Sequence, residues 1–129
     1  MIYNLYQYIK TQLTTLSLIV NGWEKESPET SVTIMQRGGI PSHYDIRNDI
    51  SVQVLSRAMD VNTALTNSEA VYNLLLNRFG LTLPEVTVGD TVHPAIKTYQ
   101  ISPIQSPGYL GTDRNNLQMW SFNITVTIV

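Results

Sequence analysis

The run WSFNITVTIV, residues 120–129, alternates apolar and polar side chains without interruption. Trp120, Phe122, Ile124, Val126 and Ile128 share one side, and Ser121, Asn123, Thr125 and Thr127 share the other. Successive side chains of an extended strand point to opposite faces, so the pattern predicts a half-buried strand with one apolar face. A strand of about ten residues spans roughly 33 Å, and its mate, a run near residues 97–104, is shorter. Residues 117–129 contain no charged side chain. Open strand edges invite pairing with another chain and are normally blunted by charge. The strand is therefore either covered inside its own fold or paired with a neighbouring subunit, and the residues leave both alternatives standing.

The remaining elements follow from period and punctuation. Ile2, Leu5, Tyr6, Ile9, Leu13 and Leu16 recur at helical spacing, as the apolar stripe of an amphipathic helix does. Ser17 to Val20 starts a short strand that Asn21-Gly22 breaks. Residues 22–30 read as an exposed charged loop from which Trp23 folds back onto the core. Residues 31–36 and 49–56 alternate as strands and suggest an antiparallel pair, joined by a connection carrying Gly38-Gly39 and Pro41 that is too long for a tight hairpin.

Residues 60–79 are predicted helical, with Val61, Leu65, Val71, Tyr72, Leu75 and Phe79 on one face and Gly80 as the stop. The helix starts at Asp60 or at the capping-box spacing Thr66 to Glu69. Leu81 to Leu83 and Glu85 to Val88 are extended around Pro84, and residues 97–104 form a strand with Tyr99 and Ile101 on one side. Residues 105–116 carry the strongest loop signals. The order α-β-β-α-β-β points to an α+β fold: a mixed or antiparallel sheet of about four main strands, with two helices packed on one face.

At 129 residues the chain has the length of a single domain able to bury its own core. Charged residues make up 14%, against roughly 25% in ordinary soluble domains, which suits a surface covered by partners. The formal net charge is −2 and no Lys/Arg cluster forms, which argues against a nucleic-acid footprint. Without cysteine there are no disulfides, zinc-thiolate sites or thiol nucleophiles. No stretch approaches the ~18 apolar residues of a membrane span, and MIYNLYQYIKTQ lacks the basic start and apolar block of a signal peptide. The glycosylation pattern Asn123-Ile124-Thr125 falls inside the closing strand and reads as chance.

Catalytic chemistry finds little to work with. His43 lies near Asp45, and His93 near Asp90, but no nucleophile motif accompanies either pair. Both histidines sit beside prolines in expected loops. Glu24, Glu26 and Glu29 are explained by a solvated loop, and the segment around Asp45 and Asp49 lacks the alternating oxygen donors of a calcium loop. Gly108-Tyr109-Leu110-Gly111 has the wrong spacing for a dinucleotide loop. Tyr3, Tyr6 and Tyr8 lack the basic groove of a stacking platform and read as core packing. No catalytic residue, cofactor site or metal site is expected.

The segment SPGYLGTDRNNLQMWSFNITVTIV, residues 106–129, resembles the C-terminal end of tail terminator proteins of long-tailed bacteriophages, also called tail completion or minor capsid proteins. The matching features there are a proline, a YLG-like turn, a charged loop and a long strand of the W/Y-S-F-N type. The short first helix, the strand pair around 31–56 and the helix carrying VYNLLL agree in order. The resemblance implies a ring, as a rule of six subunits, that caps the last ring of the tail tube. The ring stops tube growth and offers a surface to the filled head. It is a virion component at the head–tail junction, made in the host cytoplasm, and catalyses nothing.

Its implied partners are copies of itself, the tail tube protein and a head-completion or neck protein. There is no membrane and no specific nucleic-acid binding, although DNA would pass through the ring. Gln36 to Arg47 and Gln105 to Asn116 are the loops expected to order on docking. Arg37, Asp45, Arg47, Tyr109, Asp113 and Arg114 are the contact candidates, each weighed against the ordinary reading of a solvated surface group. Two rivals remain: another neck component (a head-closure or tail-tube protein), and a small ligand-binding or enzymatic domain in which His43, Asp45 and His93 meet in a pocket.

Overall fold

The closing strand lies in the interior of the sheet. The computed structural model describes residues 1–21, 28–41 and 48–128, with only the backbone described for 39–41. Along the chain run α1 (Ile2–Gln12), β1 (Leu18–Val20), β2 (Ser31–Pro41), β3 (Asn48–Ala58) and α2 (Val61–Leu75). These are followed by β4 (Arg78–Phe79), β5 (Thr82–Leu83), β6 (Val86–Val88), β7 (Thr91–His93), β8 (Ile96–Pro103), β9 (Gly108–Thr112) and β10 (Gln118–Ile128). The main sheet is ordered β1-β2-β3-β10-β8-β4, with β5 also on β8 and β9 also on β10, while β6 and β7 form a separate two-stranded sheet. Among the described residues only β1 and β2 pair in parallel.

The α+β class stands, but the expected sheet of about four strands in the order α-β-β-α-β-β does not: ten strands are described. Five of the additions, β1, β4, β5, β6 and β7, are two or three residues long. β1, β5 and β6 fall within stretches expected to be extended (17–20, 81–83 and 85–88), whereas β4 and β7 are too short to generate a legible period of two.

β10 pairs with β3 from Gln118↔Ala58 to Ile128↔Asn48. Its other edge is shared: β9 covers Gln118 to Ser121 and β8 covers Ile124 to Ile128. The lack of charge over residues 117–129 is thus accounted for by a central strand covered within one copy. The shorter mate near 97–104 is β8.

The core lies between the apolar sheet face and both helices. Val32 and Ile34 of β2, Val52 and Val54 of β3, Ile101 of β8, and Phe122, Ile124 and Val126 of β10 are fully buried with Leu5, Ile9, Val71 and Leu75 of the helices. Fully burying such a side chain contributes roughly 1.5–3 kcal/mol. Phe122 meets Tyr72 edge-on, with ring centroids 5.5 Å apart. The opposite face of the sheet is small and polar. There Thr127 donates to Asp49 Oδ1 at 2.7 Å, and Arg57, only 8% exposed, donates to Ser31 Oγ and Pro28 O at 3.3 Å each.

Several boundaries move. Gly38-Gly39 does not end β2. A bulge between Gln36 and Gly39 places Gly38 at φ +101°, a conformation that a side chain resists, and pairing then continues to Pro41↔Asn48. The antiparallel pair of β2 and β3 therefore extends beyond the alternating residues. α2 starts after Asp60 and stops at Leu75, not at Gly80. Thr66 sits inside it, donating to the Asn62 carbonyl at 2.8 Å, so the 66–69 spacing is not a cap. Leu76 turns extended and Asn77 takes φ +48°, which leaves Phe79 on β4 and 68% exposed. Tyr99 and Ile101 do not share a side: β10 and β8 slip register between Thr127 and Ile128, so Tyr99 bulges out while Ile101 stays buried. The loop expected over 105–116 contains β9. Trp23 lies outside the described residues.

Candidate interaction surfaces

The candidate contacts fall on two separated regions. Tyr109, Asp113 and Arg114 share the β9–β10 hairpin, beside the Gln118 end of β10. Arg37 lies in the β2 bulge, level with Ile124 to Val126 of β10 and short of the Ile128 end, where Pro41 and Asn48 close the described part of the β2–β3 ladder. Its partner Gln53 lies opposite Asn123, about 17 Å along β10 from Gln118. Asp45 and Arg47, and with them residues 42–47 of the Gln36–Arg47 connection, lie outside the described residues.

Within the hairpin the side chains have unequal duties. Asp113 Oδ1 accepts from the backbone amides of Asn115 at 2.8 Å and Leu117 at 2.9 Å, an arrangement that mimics a backbone turn. Its other oxygen lies 3.6 Å from Arg57 Nη1. Asp113 therefore ties the hairpin loop to the polar face of the sheet. Arg114, next to it, is exposed and forms no ion pair among the described residues. Tyr109 is half exposed, packs on Trp120 with centroids 5.4 Å apart and donates to Gln118 Oε1. Arg37 is exposed and donates through Nε to Gln53 Oε1 at 2.9 Å.

Two surfaces had no counterpart in the sequence pattern. The first is an open recess of about 650 Å³ lined by Phe79, Gly80, Lys97, Thr98 and Tyr99. It is a poor cradle for a small molecule, because Thr98 already donates to the Leu81 carbonyl at 2.7 Å. Only the Lys97 ammonium and Tyr99 hydroxyl remain as polar groups on an apolar wall, whereas ligand sites converge several. The second is the β6–β7 hairpin, which presents Val88 and Val92 to solvent at 38% and 53% exposure.

A buried helix residue anchors that hairpin. The Asn4 side-chain amide lies 2.9 Å from the Pro84 carbonyl, 3.2 Å from that of His93 and 3.0 Å from that of Pro94. Tyr3 adds a ring contact to His93 at 5.2 Å. His93 is therefore the last residue of β7, packed on α1 rather than placed in a loop. His43 and Asp45 are not among the described residues, which hold no group of three His, Cys, Asp or Glu able to bind a metal.

A family model described as "Bacteriophage tail terminator protein" matches residues 8–129. No curated protein matches the chain.

Proposed function

Because the chain belongs to the bacteriophage tail terminator family, matched from residue 8 to 129, we propose that it closes into a ring on the last ring of the tail tube, ends tube polymerisation and presents a surface for head joining. The family match is the observation that carries this reading. It makes the protein a structural virion component of the phage tail. The separation of Arg114, beside the Gln118 end of β10, from Arg37, about 17 Å along the strand, supports two distinct docking regions, since a cap must hold the tube on one side and the head on the other. A heterologous contact between copies closes into a ring when its rotation closes. The work done is recognition of surfaces, without turnover.

Inactivating the gene in its phage tests the reading. The expected result is tails of uncontrolled length, without heads, with joining restored when purified protein is added to freshly made tubes. Tails of normal length that only fail to join would assign the protein to head closure instead. Arg114→Glu is expected to lower the yield of joined particles at least tenfold while leaving thermal unfolding unchanged. Asp113 is unsuited to that test, because reversing its charge would dismantle its own loop.

A further inference from the structure

The arm formed by β6 and β7 and the recess beside β4 and β8 carry opposite charges that are unmatched among the described residues. The arm pairs Val86 with His93 and Val88 with Thr91, and it turns at Gly89 and Asp90. Glu85 and Asp90 are exposed, and residues 84–95 contain no Lys or Arg. In the recess, Phe79 and Tyr99 are 68% and 57% exposed, flanked by Arg78 and Lys97. Neither 70–84 nor 96–112 contains an acidic residue. Glu85, Asp90, Arg78 and Lys97 form no ion pair among the described residues. In one copy Val88 and Val92, on the two faces of the arm, and the aromatic rings of the recess face solvent.

We propose that the arm of one copy seats in the recess of a second copy by the face that carries Thr87 and Val92, Val92 against Phe79 and Tyr99, with Glu85 and Asp90 facing Arg78 and Lys97. Aromatic side chains in a shallow apolar site are the usual anchors of an interface. The charges at its rim select register and partner more than they add affinity. The complementarity is between two regions of one sequence, so a second copy supplies the missing half. This joint rests on the reading of the chain as a self-assembling cap, and it specifies what holds neighbouring copies together.

The chain has no cysteine, so pairs can be introduced cleanly. Full-length Val92→Cys and Tyr99→Cys variants, mixed under mild oxidation in concentrated solution and on tail tubes, are expected to form a covalent dimer. Its yield should be at least tenfold above that of Val92→Cys mixed with Thr66→Cys, which places the thiol on the exposed side of α2. Independently, Lys97→Glu is expected to weaken assembly at least tenfold in sedimentation, and adding Asp90→Lys to the same chain should restore it. Assembly of the unmodified protein without the 92–99 excess, or without restoration by the double swap, overturns the joint and leaves the cap reading standing. Failure of the unmodified protein to assemble both alone and on tubes overturns both.

Discussion

Asn4 shows how a single side chain can decide where an element sits. Its amide has two N–H groups facing three carbonyls. Asn4→Ala would leave acceptors from Pro84, His93 and Pro94 without their donor, at a cost of about 1–3 kcal/mol. The loss should appear first as faster amide exchange in Val86 and Val88, with a smaller change in β10. Asn4→Asp should be worse, since a carboxylate would face carbonyl oxygens. None of this was legible. In sequence Asn4 is a polar residue beside an apolar helical stripe, and its partners are 80 to 90 positions away. Asp113 was legible as a charged loop residue but not as the residue that organises its loop. Asp113→Ala should destabilise the fold by about 2 kcal/mol, because hydrogen bonds to a charged group are lost together with the contact to Arg57. Arg114→Glu should stay within about 0.5 kcal/mol. Urea unfolding of the two variants separates the structural residue from the docking candidate.

At the scale of elements, alternation was a good guide to faces and a poor guide to position. Phe122, Ile124 and Val126 are fully buried on the predicted side of β10. Whether the strand lay at the centre or at an edge could not be read, because an uncharged strand suits both a covered centre and a shared edge. The answer depends on which strands cover its two edges, β3 from far away in sequence on one side and β8 and β9 on the other. Phe122→Ala tests the central placement: a fully buried ring against Tyr72 should cost about 3–5 kcal/mol in urea unfolding. A loss below 1 kcal/mol would contradict a packed central strand. Where the pattern misled, a local irregularity was responsible. The bulge at Tyr99 reverses which residues face the core, and the left-handed Asn77 ends a helical repeat that the apolar spacing carries on to Phe79.

For the whole molecule, sequence reading reached the fold class and the family but not the arm, whose strands are three residues each, nor the recess, which needs β4 and β8 to meet across the intervening chain. The distribution of exposed groups still supports a sharp expectation. Arg37 bonds to Gln53, which lies opposite Asn123, whereas Arg114 belongs to the loop beside Gln118. Along β10 that is a separation of five residue steps from Gln118 to Asn123, about 17 Å. Sites so far apart and without shared partners act independently. If the cap meets the tube and the head through different ends, Arg37→Glu and Arg114→Glu should produce different defects. One should give overlong tails and the other tails of correct length that lack heads. In the double variant the loss of infectious yield should be the product of the single losses. Tail lengths from negative-stain micrographs and particle titres measure both quantities. The same defect from both variants, with no further loss on combining them, would mean that the two residues serve one face.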